Sequence, residues 1–145
     1  MNIEIRALQV ADRAAWEPLA RGYKRFYETD TSDAEYAAAW QRLLHDPRFL
    51  ALAAWRGDAM VGIVHALFHA STWADEVCYL QDLFVSEAAR GSGAGAALID
   101  AVAAASRQRG AARLFWLTHH DNTTARALYD RVAVHKGFIR YDLPL

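Results

Sequence analysis

A mixed α/β domain is what this sequence predicts, and three observations carry the prediction. Strand-like apolar runs alternate with runs of helical period across the second half of the chain. A glycine-rich turn, Arg90-Gly91-Ser92-Gly93-Ala94-Gly95, joins the apolar run 78–85 to the helix-like run 96–109. The 145 residues are 54% apolar and 23% charged, which is the size and composition of one folded domain with a sizeable core. That domain is expected to span residues 1–145.

Taken in order, residues 3–8 alternate apolar and polar, the pattern of an edge-like first strand. Asp12 is placed to cap a helix reaching about residue 26, in which Trp16, Leu19, Ala20, Tyr23, Phe26 and Tyr27 recur at helical spacing. Asp33 is placed to cap a second helix with Tyr36, Ala37, Trp40, Leu43 and Leu44 on one stripe. Asp46-Pro47 ends it, because the residue before a proline avoids the helical region. Residues 49–55 and 59–68 read as strands joined at Arg56-Gly57-Asp58, a hairpin turn, and 77–85 as a further strand. Past the glycine turn, Ala94, Ala97, Leu98, Ala101, Val102 and Ala105 form one helical face that Gly110 stops. Residues 114–117 make a short buried strand, Asp121 is placed to cap a helix through Tyr129, and 137–143 close the chain as a last strand. The resulting order is βααβββαβαβ.

Composition removes several function classes. The net charge of −1 lacks the basic excess of a nucleic-acid binder, so no nucleic-acid partner is expected. The single cysteine, Cys78, sits in an apolar run, which leaves neither a disulfide framework nor a cysteine-rich metal site. His65 and His69 share a strand face and His119-His120 are adjacent, but no third ligand stands at metal-site spacing, so no metal is expected. No signal-peptide pattern opens the sequence, and no apolar run reaches the roughly 18 residues of a membrane span. A cytoplasmic protein with no membrane partner is the expectation.

The glycine turn carries the first chemical argument. Glycines let backbone approach a ligand without side chains between. The helix that follows directs free N–H groups and the positive end of its dipole at an anion, and Arg90 adds a forked cation suited to phosphate. The segment reads as a pyrophosphate cradle. A nucleoside-triphosphate loop would need a Gly-Lys-Ser/Thr sequence, and no lysine follows these glycines. A dinucleotide fingerprint would need its third glycine elsewhere, in an opening βαβ unit.

A third signature fits: Arg90-Gly91-Ser92-Gly93-Ala94-Gly95 after Leu80-Gln81-Asp82-Leu83-Phe84-Val85. Together with Asn122-Thr123-Thr124-Ala125-Arg126-Ala127-Leu128-Tyr129, it resembles the acetyl-CoA site of the GNAT superfamily of N-acetyltransferases over nearly the whole chain. The resemblance implies a mixed, mostly antiparallel sheet flanked by helices, with acetyl-CoA as cosubstrate. It also implies direct acetyl transfer to a primary amine in a ternary complex, the acceptor being a small molecule. By match, Arg90, Gly91, Ser92, Gly93, Ala94 and Gly95 bind pyrophosphate, and the backbone of Leu83, Phe84 and Val85 holds pantetheine and polarises the thioester carbonyl. Asn122 would orient the pantetheine arm, and Tyr129 would protonate the departing thiolate. The two are seven residues apart, about two helical turns, and so share a face.

The resemblance is to the Hpa-type, polyamine-acetyltransferase-like branch, and residues 129–141 extend it; those relatives pair as homodimers through C-terminal elements. In that branch the strand often reads Tyr-Leu-Glu-Asp, whereas this chain reads Tyr79-Leu80-Gln81-Asp82. Gln81 cannot accept a proton, and Asp82 faces the opposite side of a regular strand. A water held by Gln81, Asp82 and backbone carbonyls is the expected base. The acceptor mouth is expected near Tyr23, Tyr27, Glu28, Asp30, His69, Trp73, Asp75 and Glu76, whose acids and rings suit a cationic amine, although the two tyrosines also complete the core stripe of the first helix. Gln81 leaves open a non-catalytic acyl-CoA-binding module, and glycine spacing disfavours a nucleotide-dependent oxidoreductase.

Overall fold

The computed structural model describes residues 2–145. Five strands form one sheet in the order β1-β2-β3-β4-β5: Ile3–Ala7, Phe49–Arg56, Ala59–Ser71, Ala74–Val85 and Leu114–Phe115. The first four run antiparallel, and β5 lies parallel to β4. Four helices accompany them: α1 (Arg13–Phe26), α2 (Asp33–His45), α3 (Ala94–Arg109) and α4 (Thr123–Val132).

The two sheet faces bury different side chains. Trp16 and Leu19 of α1 and Tyr36 and Trp40 of α2 close over Ala53 and Ile63. Leu98, Ile99 and Val102 of α3 close over Val64, Ala66, Phe68, Cys78 and Leu80. The buried stripe of α3 is Ala94, Leu98, Ile99, Val102 and Ser106, turned from the expected alanine face so that larger side chains meet the sheet. Ser106 tolerates burial because its Oγ donates to the Val102 carbonyl at 2.8 Å.

The helix starts correct three expectations. Asp12 does not cap α1 with its side chain; its carboxylate accepts the Gln9 N–H at 2.8 Å and closes a short 3₁₀ turn instead. Ser32, not Asp33, caps α2, with Glu35 bonding back to the Ser32 N–H at 2.7 Å. Asn122, not Asp121, caps α4. In α2 and α4 the residue whose backbone stays outside the helix takes the role, and adjacent polar residues cannot be ranked from sequence.

The hairpin at Gly57 and the α2 stop before Pro47 form as expected. Residues 137–143 do not form the last strand in this single chain; residues 134–145 run without regular structure. The order is otherwise that expected, and β3 and β4 run several residues longer than read from the sequence.

Candidate functional site

Strand β4 builds the site, and a bulge decides how. His65 of β3 pairs with Asp82, and Ala66 pairs with Leu80, so Gln81 is the extra residue. The insertion flips the alternation. Cys78 and Leu80 face α3 before it, and Leu83 and Val85 do so after it. Asp82 and Phe84 are thereby turned toward α1 and α2. The expectation for a regular strand is corrected: Asp82 stands beside Gln81 in the same cavity.

Beyond the bulge β4 loses its other neighbour. Only Cys78–Leu114 and Tyr79–Phe115 pair β4 with β5, so Leu83, Phe84 and Val85 lie past the end of that ladder. A groove of about 410 Å³ opens there. One wall is Leu83, Phe84 and Val85, another is Asn122, Ala125, Leu128 and Tyr129 of α4 and its cap, and Arg90, Gly91, Gly93, Ala94 and Gly95 close one end. The two motifs separated in sequence thus meet across one slot.

The cradle geometry explains its glycines separately. Gly91 and Gly93 have φ of 80° and 87°, with nothing within 4 Å of a built Cβ, so the backbone conformation selects glycine there. A Cβ on Gly95 would meet Leu128 at 3.4 Å and Val85 at 3.8 Å, so this glycine sits where α3, α4 and β4 approach. Among the described residues, the N–H groups of Gly91, Gly93, Gly95 and Ala96 find no acceptor. Arg90 forms no ion pair among them either. Unpaired amides around a helix start, open space and a free guanidinium fit a diphosphate. Ser92 does not line the groove; its Oγ accepts the Ala94 N–H at 3.4 Å and shapes the turn. Gly93→Ala is expected to cost about 1–2 kcal/mol through backbone strain alone. Thermal unfolding would show the loss, with weaker coenzyme binding by titration calorimetry.

Asn122 accepts the Ala125 N–H through Oδ1 at 3.4 Å, and its amide donates to Thr118 Oγ1 at 3.3 Å. It therefore caps α4 while bordering the groove. Tyr129 packs edge-on against Trp116 with centroids 5.5 Å apart. Burial, with Tyr27 nearby, pushes its phenol up to about 12. Arg131 joins the same groove as a second cation, which the sequence reading missed.

Next to this groove lies a second cavity of about 460 Å³ between α1, α2 and the sheet. Gln81 and Asp82 lie against it, as do Lys24, Asp30 and Arg42. Tyr23 borders both cavities. Of the expected acceptor mouth, Tyr23 and Asp30 are here, while Tyr27 and Glu28 border a neighbouring hollow near Asn122. His69, Trp73, Asp75 and Glu76 are elsewhere: Trp73 projects from the β3–β4 turn at 92% exposure, and Glu76 is bound to Arg109 at 2.7 Å. The lengthened hairpin carries them away.

Asp82 is the one carboxylate fixed at the bulge. His65 Nδ1 lies 2.9 Å from its Oδ2. Burial pushes the Asp82 carboxyl up, but the His65 hydrogen bond, with Tyr23 and Lys24, outweighs it and holds the group below the usual carboxylate range. Burial raises the Tyr23 phenol, and the Asp82 charge raises it further. The sequence offered no sign of the His65 contact, since the pairing depends on the bulge. Among the described residues no group of three or more His, Cys, Asp or Glu side chains could hold a metal ion, and no helix is long and apolar enough to cross a membrane.

The chain is similar in sequence and in fold to known acetyltransferases. Residues 14–133 match the model of the Acetyltransferase (GNAT) family. A D-amino-acid N-acetyltransferase, HPA3, of Saccharomyces cerevisiae is 32% identical, covering 97% of this chain and 89% of the relative. An uncharacterized N-acetyltransferase of Bacillus subtilis, YhfO, is also 32% identical, covering 97% of each. Among solved structures, AAC(6')-Iy in complex with a CoA-containing bisubstrate analog superposes with a TM-score of 0.85 at 18% identity, over 100% of this chain and 99% of that one.

Proposed function

This chain belongs to the acetyltransferase (GNAT) family and is an acetyltransferase enzyme, and from that premise we propose that it acetylates the amine of a small zwitterionic acceptor, an amino acid, by direct transfer from acetyl-CoA in a ternary complex. One observation carries the reading: β4 passes from the acceptor cavity at Gln81 and Asp82 straight into the groove at Leu83, with Tyr23 bordering both. Two bound substrates would meet at the bulge.

The bound thioester supplies an acyl carbon activated toward attack. Gly91, Gly93 and Arg90 hold the diphosphate, and the unpaired edge of Leu83–Val85 receives the pantetheine arm and the carbonyl, with Asn122 bordering the arm. Asp82, through a water shared with Gln81, takes the proton that the attacking nitrogen loses as the N–C bond forms. Tyr129 gives its hydroxyl proton to the sulfur as the C–S bond breaks.

The acceptor class follows from charge. Lys24 and Arg42 line the cavity without ion pairs among the described residues, opposite Asp82 and Asp30. Cations and carboxylates in one cavity suit a carboxylate and an ammonium on one molecule. The yeast relative named for D-amino acids supports this class. Arg42→Ala is expected to raise KM for amino acids about tenfold while sparing their amides, which lack the carboxylate. A steady-state comparison of each acid with its amide measures this. The reading as a whole is tested by following thiol release with acetyl-CoA and a panel of amines. A protein that binds acetyl-CoA yet releases no thiol above the hydrolysis rate with any amine would overturn it.

We also infer a homodimer formed through the tail. Phe138 and Tyr141 are 84% and 86% exposed, and Ile139 and Leu143 are also open, in a segment expected to be a strand. Strand-forming apolar residues left exposed, in a chain whose β5 has a free edge, invite pairing with a second copy. Light scattering should give twice the chain mass, and Phe138→Glu with Tyr141→Glu should halve it.

A further inference from the structure

A buried chain of three side chains ends on Asp82. Trp16 of α1 is 1% exposed and His65 of β3 is 8% exposed. The Trp16 indole Nε1–H donates to His65 Nε2 at 3.0 Å. An indole nitrogen is only ever a donor, so Nε2 must be the unprotonated nitrogen of the ring. A neutral imidazole then carries its proton on Nδ1, which is the nitrogen 2.9 Å from Asp82 Oδ2. The chemistry of one indole therefore fixes the tautomer of the ring that bonds Asp82.

We propose that Trp16 and His65 are positioning residues for acetyl transfer: the indole locks His65 as the Nδ1–H tautomer, and that N–H holds Asp82 ionised and aimed at the acceptor cavity. The proposal rests on the reading of Asp82 as proton acceptor. Its physical core is exclusion of a competing state. With Nε2 free, the ring can hold its proton there and turn a bare Nδ1 on Asp82. Two lone pairs would then face each other, and the carboxylate would lose the donor that favours its charged form. The indole N–H occupies the Nε2 lone pair and so excludes that tautomer. The other groups that act on Asp82 are Tyr23 and Lys24 from α1, Tyr27 just past its end and Tyr79 from β4, with Gln81 adjacent. None of them replaces the His65 contact: among the phenols only Tyr23 also bonds Asp82, from the cavity side, while Tyr27, Tyr79 and Lys24 act at longer range.

The arrangement needs the β4 bulge. Without the extra residue, Asp82 would fall on the α3 face and His65 Nδ1 would lose its partner. The bulge, the buried histidine and the buried indole are therefore one device distributed over α1, β3 and β4.

The test has two parts. Ring nitrogen NMR shifts of the unmodified protein at pH 7 should show His65 protonated at Nδ1 and bare at Nε2. An Nε2–H tautomer, a rapid mixture of tautomers, or an imidazolium would overturn the proposal without any variant. Trp16→Phe then keeps an aromatic ring and removes the donor, leaving a small cavity where the rest of the indole stood. It should leave acetyl-CoA affinity intact and move the acid limb of the kcat/KM–pH profile upward. At a pH below the limb, activity should fall about tenfold for each unit of that movement, and it should recover at alkaline pH. A loss equal at every pH would mark a merely structural indole and overturn the proposal. If Trp16→Phe does not fold, His65→Asn, which keeps an amide donor toward Asp82, should retain more activity than His65→Leu; equal activity of these two would overturn it. A fully active Asp82→Asn enzyme whose His65 still showed the Nδ1–H tautomer would instead remove Asp82 as base and leave the tautomer lock standing.

Discussion

Asp82→Asn is expected to lower kcat/KM by about two to four orders of magnitude, the range contributed by a positioned proton acceptor. Acetyl-CoA binding should survive, because Asp82 lines the acceptor cavity and not the coenzyme groove. The amide cannot take a proton, yet its oxygen can still accept from His65, so the local fold has no reason to open. Single-turnover kinetics with preloaded acetyl-CoA separates the two effects. The same substitution has a stability signature. The folded Asp82 carboxyl sits below its ordinary range. A depressed carboxylate stabilises the fold above its unfolded value of about 3.9, and that contribution fades as pH falls through the lower folded value. The difference in Tm between wild type and Asp82→Asn should therefore be largest near neutrality and shrink in acid. A difference that grew in acid would contradict the depressed carboxyl.

Tyr129→Phe should cut kcat about a hundredfold or more while leaving acetyl-CoA affinity unchanged, since only the donated proton is removed. Burial lifts this phenol to about 12, so the donor stays protonated across the physiological range and beyond. No alkaline loss of kcat below that value should trace to Tyr129. Stability runs the opposite way from Asp82. A raised phenol favours the protonated folded form, so its contribution is full below the unfolded value of about 10 and disappears as pH rises toward 12. Wild type should lose more stability over that alkaline window than Tyr129→Phe, the remaining raised phenols acting equally in both. Unchanged turnover at saturating substrates would remove Tyr129 from the acid role.

Local chemistry was legible wherever one residue type has one physical use. Gly91 and Gly93 were readable as a cradle because positive φ with an open approach selects glycine. The Pro47 stop and the Gly110 cap followed from backbone sterics for the same reason. Caps were less legible: Asp12, Asp33 and Asp121 each stand beside another polar residue, and which one folds into the cap depends on backbone angles set by the whole turn. The tail misled because apolar alternation in residues 137–143 describes a strand only when an edge is present to pair with it.

The acid side and the base side of the site divide along the same line. By itself the sequence determined the elements of the proposed coenzyme half: a contiguous glycine turn, and an asparagine and a tyrosine two helical turns apart, are encoded by spacing along one chain. Only the tertiary structure decided where the proposed base stands. A single inserted residue at Gln81 reverses the facing of everything after it, and a bulge is fixed by the register between two strands, which no local stretch of residues specifies. Asp82 becomes a fixed carboxylate because Trp16 and His65, 49 residues apart, arrive at the same face of the sheet.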